Sequence, residues 1–178
     1  MKRNVTLPLL ALTMLLMGAA DSGAEVKRVR MRVTGYLCNF CAYNIQKAVG
    51  RLDYAPHPEQ VRLVDFRQSV FAFVPKPDKS VSFAALRTSV DGAGYALYSA
   101  EITVAGTLAP DGERWSLVVA PTGQRFTLDG KNLNKLIAGA PPGTRVEING
   151  GWKTIGSGAQ KYEVISPRTL QVLAEQAK

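Results

Sequence analysis

The chain has 178 residues, 46% hydrophobic and 20% charged, with 22 lysines and arginines against 14 aspartates and glutamates and a formal net charge of +8. That length fits one or two domains, and that balance excludes a disordered or low-complexity chain. Two cysteines and one histidine leave a conventional four-ligand zinc site short of ligands.

The first elements in chain order are those of an export signal. Lys2 and Arg3 precede an uncharged apolar run from Val5 to Ala20, and Ser22-Gly23-Ala24 supplies small residues for cleavage after Ala24, with Ala20 as the alternative. The run is short for a membrane span. The mature form is therefore expected to be periplasmic or secreted and not membrane-spanning. Nucleic acid is not an expected partner there; acidic proteins, cell-wall polymers or lipid surfaces suit the basic charge. Cleavage leaves Met31 as the last methionine and His57 as the histidine. Any soft-metal chemistry must then run through Cys38 and Cys41.

Val26 to Thr34 alternates Val29, Met31 and Val33 with Arg28, Arg30 and Arg32, the period of a half-buried strand. Gly35 ends it. Cys41, Ile45, Ala48, Val49 and Leu52 then fall on one face of a helix. Ala55-Pro56-His57-Pro58 breaks the chain. Val61 to Phe66 and Ser69 to Val74 read as two strands with Gln68 and Ser69 at the hairpin. Ser80 or Ser82 caps a helix carrying Phe83, Leu86 and Val90, which Gly92 and Gly94 end. Tyr95 to Ser99 begins another strand. The order is β-α-β-β-α-β, a split βαβ or ferredoxin-like unit over residues 25–100.

From about Ala100 short strands dominate. Ile102, Val104 and Leu108 alternate; Trp115 to Val119 and Arg125 to Leu128 follow, separated by glycine turns. Leu133 to Ile137 reads as a short helix. Arg145 to Trp152 and Tyr162 to Ile165, the latter resuming at Leu170 to Leu173, complete the set. Five strands with a helix between the third and fourth predict a small Greek-key barrel of the OB type over 101–178. The expected fold class is thus α+β: an N-terminal ferredoxin-like βαββαβ domain followed by a small all-β OB-like barrel. No linker separates the halves, so they should be rigidly coupled.

Cys38 and Cys41 lie where a strand stops and a helix starts. Unpaired amides at a helix N-terminus favour the thiolate, the form that binds metal and attacks disulfides. Four readings remain open on these residues: two small core side chains, a structural disulfide, a thioredoxin-like redox centre, or a two-thiolate clamp. A bond across two intervening residues closes a tiny loop and stabilises little. The thioredoxin pattern wants tryptophan before the pair and Gly-Pro inside it, whereas here Leu37 precedes it and Asn39-Phe40 fills it. A clamp of this spacing suits Cu(I) or Hg(II).

Gly35-Tyr36-Leu37-Cys38-Asn39-Phe40-Cys41 resembles the Gly-Met-Thr/Asp/His-Cys-x-x-Cys motif of the heavy-metal-associated domain family, which includes copper chaperones and periplasmic mercury-binding proteins. Asp91-Gly92-Ala93-Gly94-Tyr95 resembles the same family's Ala-Gly-Tyr segment. The resemblance covers roughly Val26 to Ile102. Tyr36 stands where the family usually has methionine, and Leu37 where it has threonine, aspartate or histidine. It implies Cys38 and Cys41 as the metal ligands for Cu(I) or Hg(II). Tyr36, Asn39, Phe40 and Tyr95 would shape or shield the loop, and a metal-donor or metal-acceptor protein would be the partner.

No catalytic constellation accompanies the pair: His57 has no motif around it, and no glycine loop for phosphate is present. The expected function is capture and transfer of a soft metal, without enzymatic activity. The alternatives are a thiol-disulfide redox protein and an adaptor whose barrel binds glycan or peptide. The row Arg28, Arg30, Arg32 should face away from the helices, as a solvated face or as a docking surface for an acidic partner or the barrel. Trp115, Trp152 and Tyr162 are expected as barrel core more than as a ligand platform.

Overall fold

The computed structural model describes residues 25–34, 38–120 and 122–174. The signal peptide expected over 1–24 lies outside them, as do Gly35, Tyr36 and Leu37. No helix among the described residues is long and apolar enough to cross a membrane.

The elements follow the hydrophobic period of the sequence. Strand β1 (Val26–Thr34) buries Val29, Met31 and Val33 and exposes Arg28, Arg30 and Arg32. Helix α1 (Asn39–Val49) and helix α2 (Phe83–Gly92) flank strands β2 (Arg62–Asp65) and β3 (Val70–Phe73). Strand β4 runs without interruption from Ala96 to Asp111, 16 residues. Strands β5 (Arg114–Val119) and β6 (Gln124–Leu128), helix α3 (Leu133–Ile137), and strands β7 (Arg145–Ile155) and β8 (Tyr162–Val172) complete the chain.

All eight strands form one sheet in the order β2-β3-β1-β4-β5-β6-β8-β7, and a further pairing of β4 with β7 closes its last five strands into a barrel. β6 and β8 run parallel; the other barrel pairs are antiparallel. The five-stranded barrel with a helix between its third and fourth strands is thus present.

The expected fold class is corrected. The described chain is mostly β with three short helices, and no N-terminal ferredoxin-like βαββαβ domain stands apart from the barrel. The reason lies in β4. Its Ala96–Val104 stretch pairs with β1 while Ala100–Thr107 pairs with β7 on the opposite edge, and Thr107–Asp111 then takes β5 in place of β1. The change of texture at Ala100 is a change of partners inside one strand. The core is equally continuous: Val29, Met31, Ile45 and Leu86 belong to the same buried cluster as Leu117, Phe126, Ile148 and Ile165.

Two glycines make this sheet geometry possible. At Gly106, between the β1-paired and β5-paired stretches of β4, an added Cβ would lie 2.7 Å from the Val118 carbonyl oxygen. At Gly150, opposite Pro167 and beside the bulge at Arg168 of β8, it would lie 2.3 Å from the Ser166 carbonyl oxygen. Glycine inside a strand often marks such close backbone approach. The bulge also accommodates Pro167, which cannot donate to a ladder, so β8 passes through a point where the sequence suggested two separate pieces. Gly150→Ala is expected to lower the unfolding free energy by about 1–3 kcal/mol, read by denaturant titration; an unchanged midpoint would contradict the close approach.

The N-terminus of α2 closes one end of the barrel. Gln124, Thr154 and Glu163 sit at the same end, because each lies at the start of β6, the end of β7 or the start of β8. Gln124 Oε1 accepts from the Val81 N–H at 2.9 Å and its Nε2 donates to the Val81 carbonyl at 2.6 Å. Phe83 meets Trp152 edge to face at 5.6 Å between centroids. Glu163 accepts from Trp152 Nε1 and the Thr154 hydroxyl, both at 2.8 Å, and from the Phe83 N–H at 3.3 Å. Trp152 is therefore buried between barrel and helix.

Candidate functional site

The site is built on the first turn of α1. The expected helix began at Cys41; the observed one begins at Asn39, because Cys38 takes an extended conformation and acts as its N-cap. Cysteine is an unusual cap, so the start signal was hidden from a reading based on serine, threonine, aspartate and asparagine. The Cys38 Sγ accepts the Cys41 N–H at 3.1 Å, and the Cys38 carbonyl accepts the Ala42 N–H at 2.9 Å. The sulfur thus satisfies one of the helix's unpaired amides, and the positive end of the helix dipole favours negative charge on it.

Cys38 and Cys41 are joined as a disulfide, with Cα atoms 5.0 Å apart. Cys38 is exposed; Cys41 is half-buried and packs against the core cluster. The reading of both as small core residues fails at Cys38. The outer sulfur is open to a reaction partner, while the inner one is held by packing. Neighbouring Phe40 is 70% exposed. Asn39 starts the helix, and its side chain lies outside the described residues, as does Tyr36.

Tyr95 is half-buried against the core. Ala96 pairs with Thr34, so Tyr95 lies just before β4 at the end of the sheet where β1 stops. No hydrogen bond or ring contact joins Tyr95 to the pair among the described residues. His57 is exposed, with its Nδ1 3.6 Å from a Glu59 carboxylate oxygen. Among the described residues no group of three or more histidine, cysteine, aspartate or glutamate side chains converges as a metal site.

Tyr43 was missed. It is 52% exposed and lies three residues after Phe40, so the two aromatic rings share one side of the helix. Lys47 Nζ lies 5.2 Å from the Tyr43 ring centroid. The signal was available in the i, i+3 spacing of two aromatics off the apolar stripe. The disulfide is thus bordered by apolar surface suited to contact with another protein. No family model matches the chain, and no curated protein matches it either.

Proposed function

We propose that the reduced Cys38–Cys41 pair captures one soft cation, Cu(I) or Hg(II), as two thiolates and passes it to a metal-acceptor protein. The observation that carries this reading is the placement of both sulfurs side by side on the first turn of α1, with the outer one exposed at the positive end of the helix. Soft thiolates select such ions. The resemblance of Gly35–Cys41 to the heavy-metal-associated motif supports the same choice. The disulfide is the metal-free oxidised form. A dithiol reductant would supply two electrons and two protons, becoming a disulfide itself; metal capture then releases the two thiol protons. The exposed Phe40 and Tyr43 give the acceptor protein an apolar contact beside Cys38. In a Cu(I) competition titration, the reduced protein is expected to take up one ion per chain and the oxidised protein none. Equal uptake by both forms would overturn the proposal.

A second reading rests on the disulfide itself. An exposed disulfide whose outer sulfur caps a helix can exchange with a partner's thiolate at Cys38. A reduction potential well above the range of structural disulfides, with turnover on a disulfide substrate, would favour that reading over metal transfer.

A further inference from the structure

Strand β3 lies between β1 and β2. On the face of the sheet away from α1 and α2 it carries short side chains, and its neighbours carry long cationic ones. Ala72 is in register with Arg30 on β1 and with Arg62 on β2. Two residues along, Val74 continues that face of β3, as Arg28 continues that face of β1. Arginines on two strands therefore stand above a floor of alanine and valine, which makes a trough along β3. Among the described residues Arg28 and Arg62 have no carboxylate partner. Glu101, the register partner of Arg30 on β4, is taken by Arg168.

At the Val74 end the loop between α1 and β2 adds a wall with Pro56 and Gln60, and the result is a groove of about 630 Å³. Val64, Ala72 and Val74 give it an apolar floor, Arg28, Arg62 and Lys76 are its cations, and no carboxylate lines it. The wall is fixed in place. Tyr54 and Ala55 are buried in the core. The Tyr54 carbonyl accepts the Lys76 N–H at 2.8 Å, and Lys76 Nζ donates to the Asp53 carbonyl at 3.1 Å. The Asp53 carboxylate itself pairs with Lys79 at 3.5 Å. Val64 is 45% and Val74 61% exposed, although both are large hydrophobic side chains. A preformed concavity, mostly apolar with a few placed charges, is the usual form of a small-ligand site.

We propose that this groove binds a single-chain anionic amphiphile, a carboxylate joined to a hydrocarbon tail. The tail covers Val64, Ala72 and Val74, and the carboxylate meets the cations at the rim, where a guanidinium offers paired donors. Cationic and apolar side chains share one face here, so the occupant must present charge and hydrocarbon to the same side, as an amphiphile does. A polymer of carboxylates would leave Val64 and Val74 in water. A bilayer surface is flat and would meet the long arginines while the shorter valines stayed clear of its hydrocarbon. A second copy of this chain on the same face would set arginines against arginines. The proposal is independent of the cysteine pair.

The test is isothermal titration calorimetry of the mature chain, Glu25 to Lys178, with dodecanoate below its micelle-forming concentration. Saturable binding of one ligand per chain is expected, and it should weaken as salt rises. Hexanoate should bind about tenfold more weakly or less, because each buried methylene contributes about 0.8 kcal/mol. The double variant Arg28→Gln, Arg62→Gln is expected to lose affinity for dodecanoate by about tenfold or more. Both arginines are exposed, so the core is untouched. Val74→Asp should lose affinity as well. The pair Arg51→Gln, Arg87→Gln removes the same charge from the helical layer and should leave binding unchanged. Unchanged affinity in the folded Arg28, Arg62 double variant would overturn the proposal. So would failure of dodecanoate to bind, equal binding of dodecyltrimethylammonium, or displacement of dodecanoate by polyglutamate at matched charge. Tighter binding to vesicles of anionic phospholipid, lost in the same double variant, would assign the face to a membrane instead and overturn it too.

Discussion

Replacing Glu163 by leucine is expected to lower the unfolding free energy by about 2–4 kcal/mol. The carboxylate accepts from Trp152 Nε1, the Thr154 hydroxyl and the Phe83 N–H, and leucine would leave these donors without a partner at the junction of barrel and α2. Among the described residues every fully buried side-chain polar atom is satisfied, so the loss would stand out. Part of the cost is offset, because burial raises the Glu163 pKa above the ordinary carboxylate value, against the lowering effect of hydrogen bonds from Thr154, Phe83, Trp152 and Ser82. A folded-state pKa raised above the unfolded one has a definite sign. Its contribution to stability is fully present below the unfolded carboxylate range and is lost as pH rises through the folded pKa. Glu163→Gln keeps an acceptor and removes this titration. It should therefore cost less than leucine and flatten the slope of stability against pH in the acidic range. Denaturant unfolding of both variants across that range is the check; a leucine variant as stable as the parent would contradict the junction's role. Tyr54, whose hydroxyl donates to the Ser82 carbonyl at 2.8 Å, remains a neutral phenol: burial and the nearby Glu163 both push its pKa up, against a smaller lowering by that hydrogen bond.

Serine at either cysteine is expected to reduce stoichiometric uptake of Cu(I) or Hg(II) to background, because a single thiolate cannot clamp a two-coordinate ion and no third ligand cluster lies among the described residues. The two variants should differ in stability. Cys38→Ser keeps an N-cap, since serine accepts the same N–H that Cys38 Sγ accepts. Cys41→Ser places a hydroxyl where the sulfur packs against the core and should melt at a lower temperature than Cys38→Ser. Metal competition assays and thermal melts on the same preparations separate the two effects. Full uptake by Cys38→Ser would show that the pair is not the site.

The elements that local periodicity governs were legible. Alternation in β1 placed its arginines outward and its valines inward, and the 3.6 period marked Ile45 and Val49, then Phe83, Leu86 and Val90, as buried helix faces. Short turns delimited β5, β6 and α3. What failed was continuity over long range. Nothing local to Ala100 says that one strand will hold β1 and β7 on opposite edges, and with that pairing unseen the fold class was misjudged. The Glu163 junction was invisible for the same reason: Glu163, Trp152, Thr154 and Phe83 meet only once β7 and β8 are in register and α2 has docked. At the candidate site the pair and its helix were legible; the capping role of Cys38 was not, since cysteine is an unusual N-cap, and Tyr43 was missed although its i, i+3 spacing from Phe40 stood in the sequence.

The claim that Cys38 and Cys41 hold a soft metal is tested most directly by X-ray absorption spectroscopy of the reduced protein loaded with Cu(I). A first shell made only of the two cysteine sulfurs is the predicted result. A shell of nitrogen or oxygen neighbours without sulfur would contradict it.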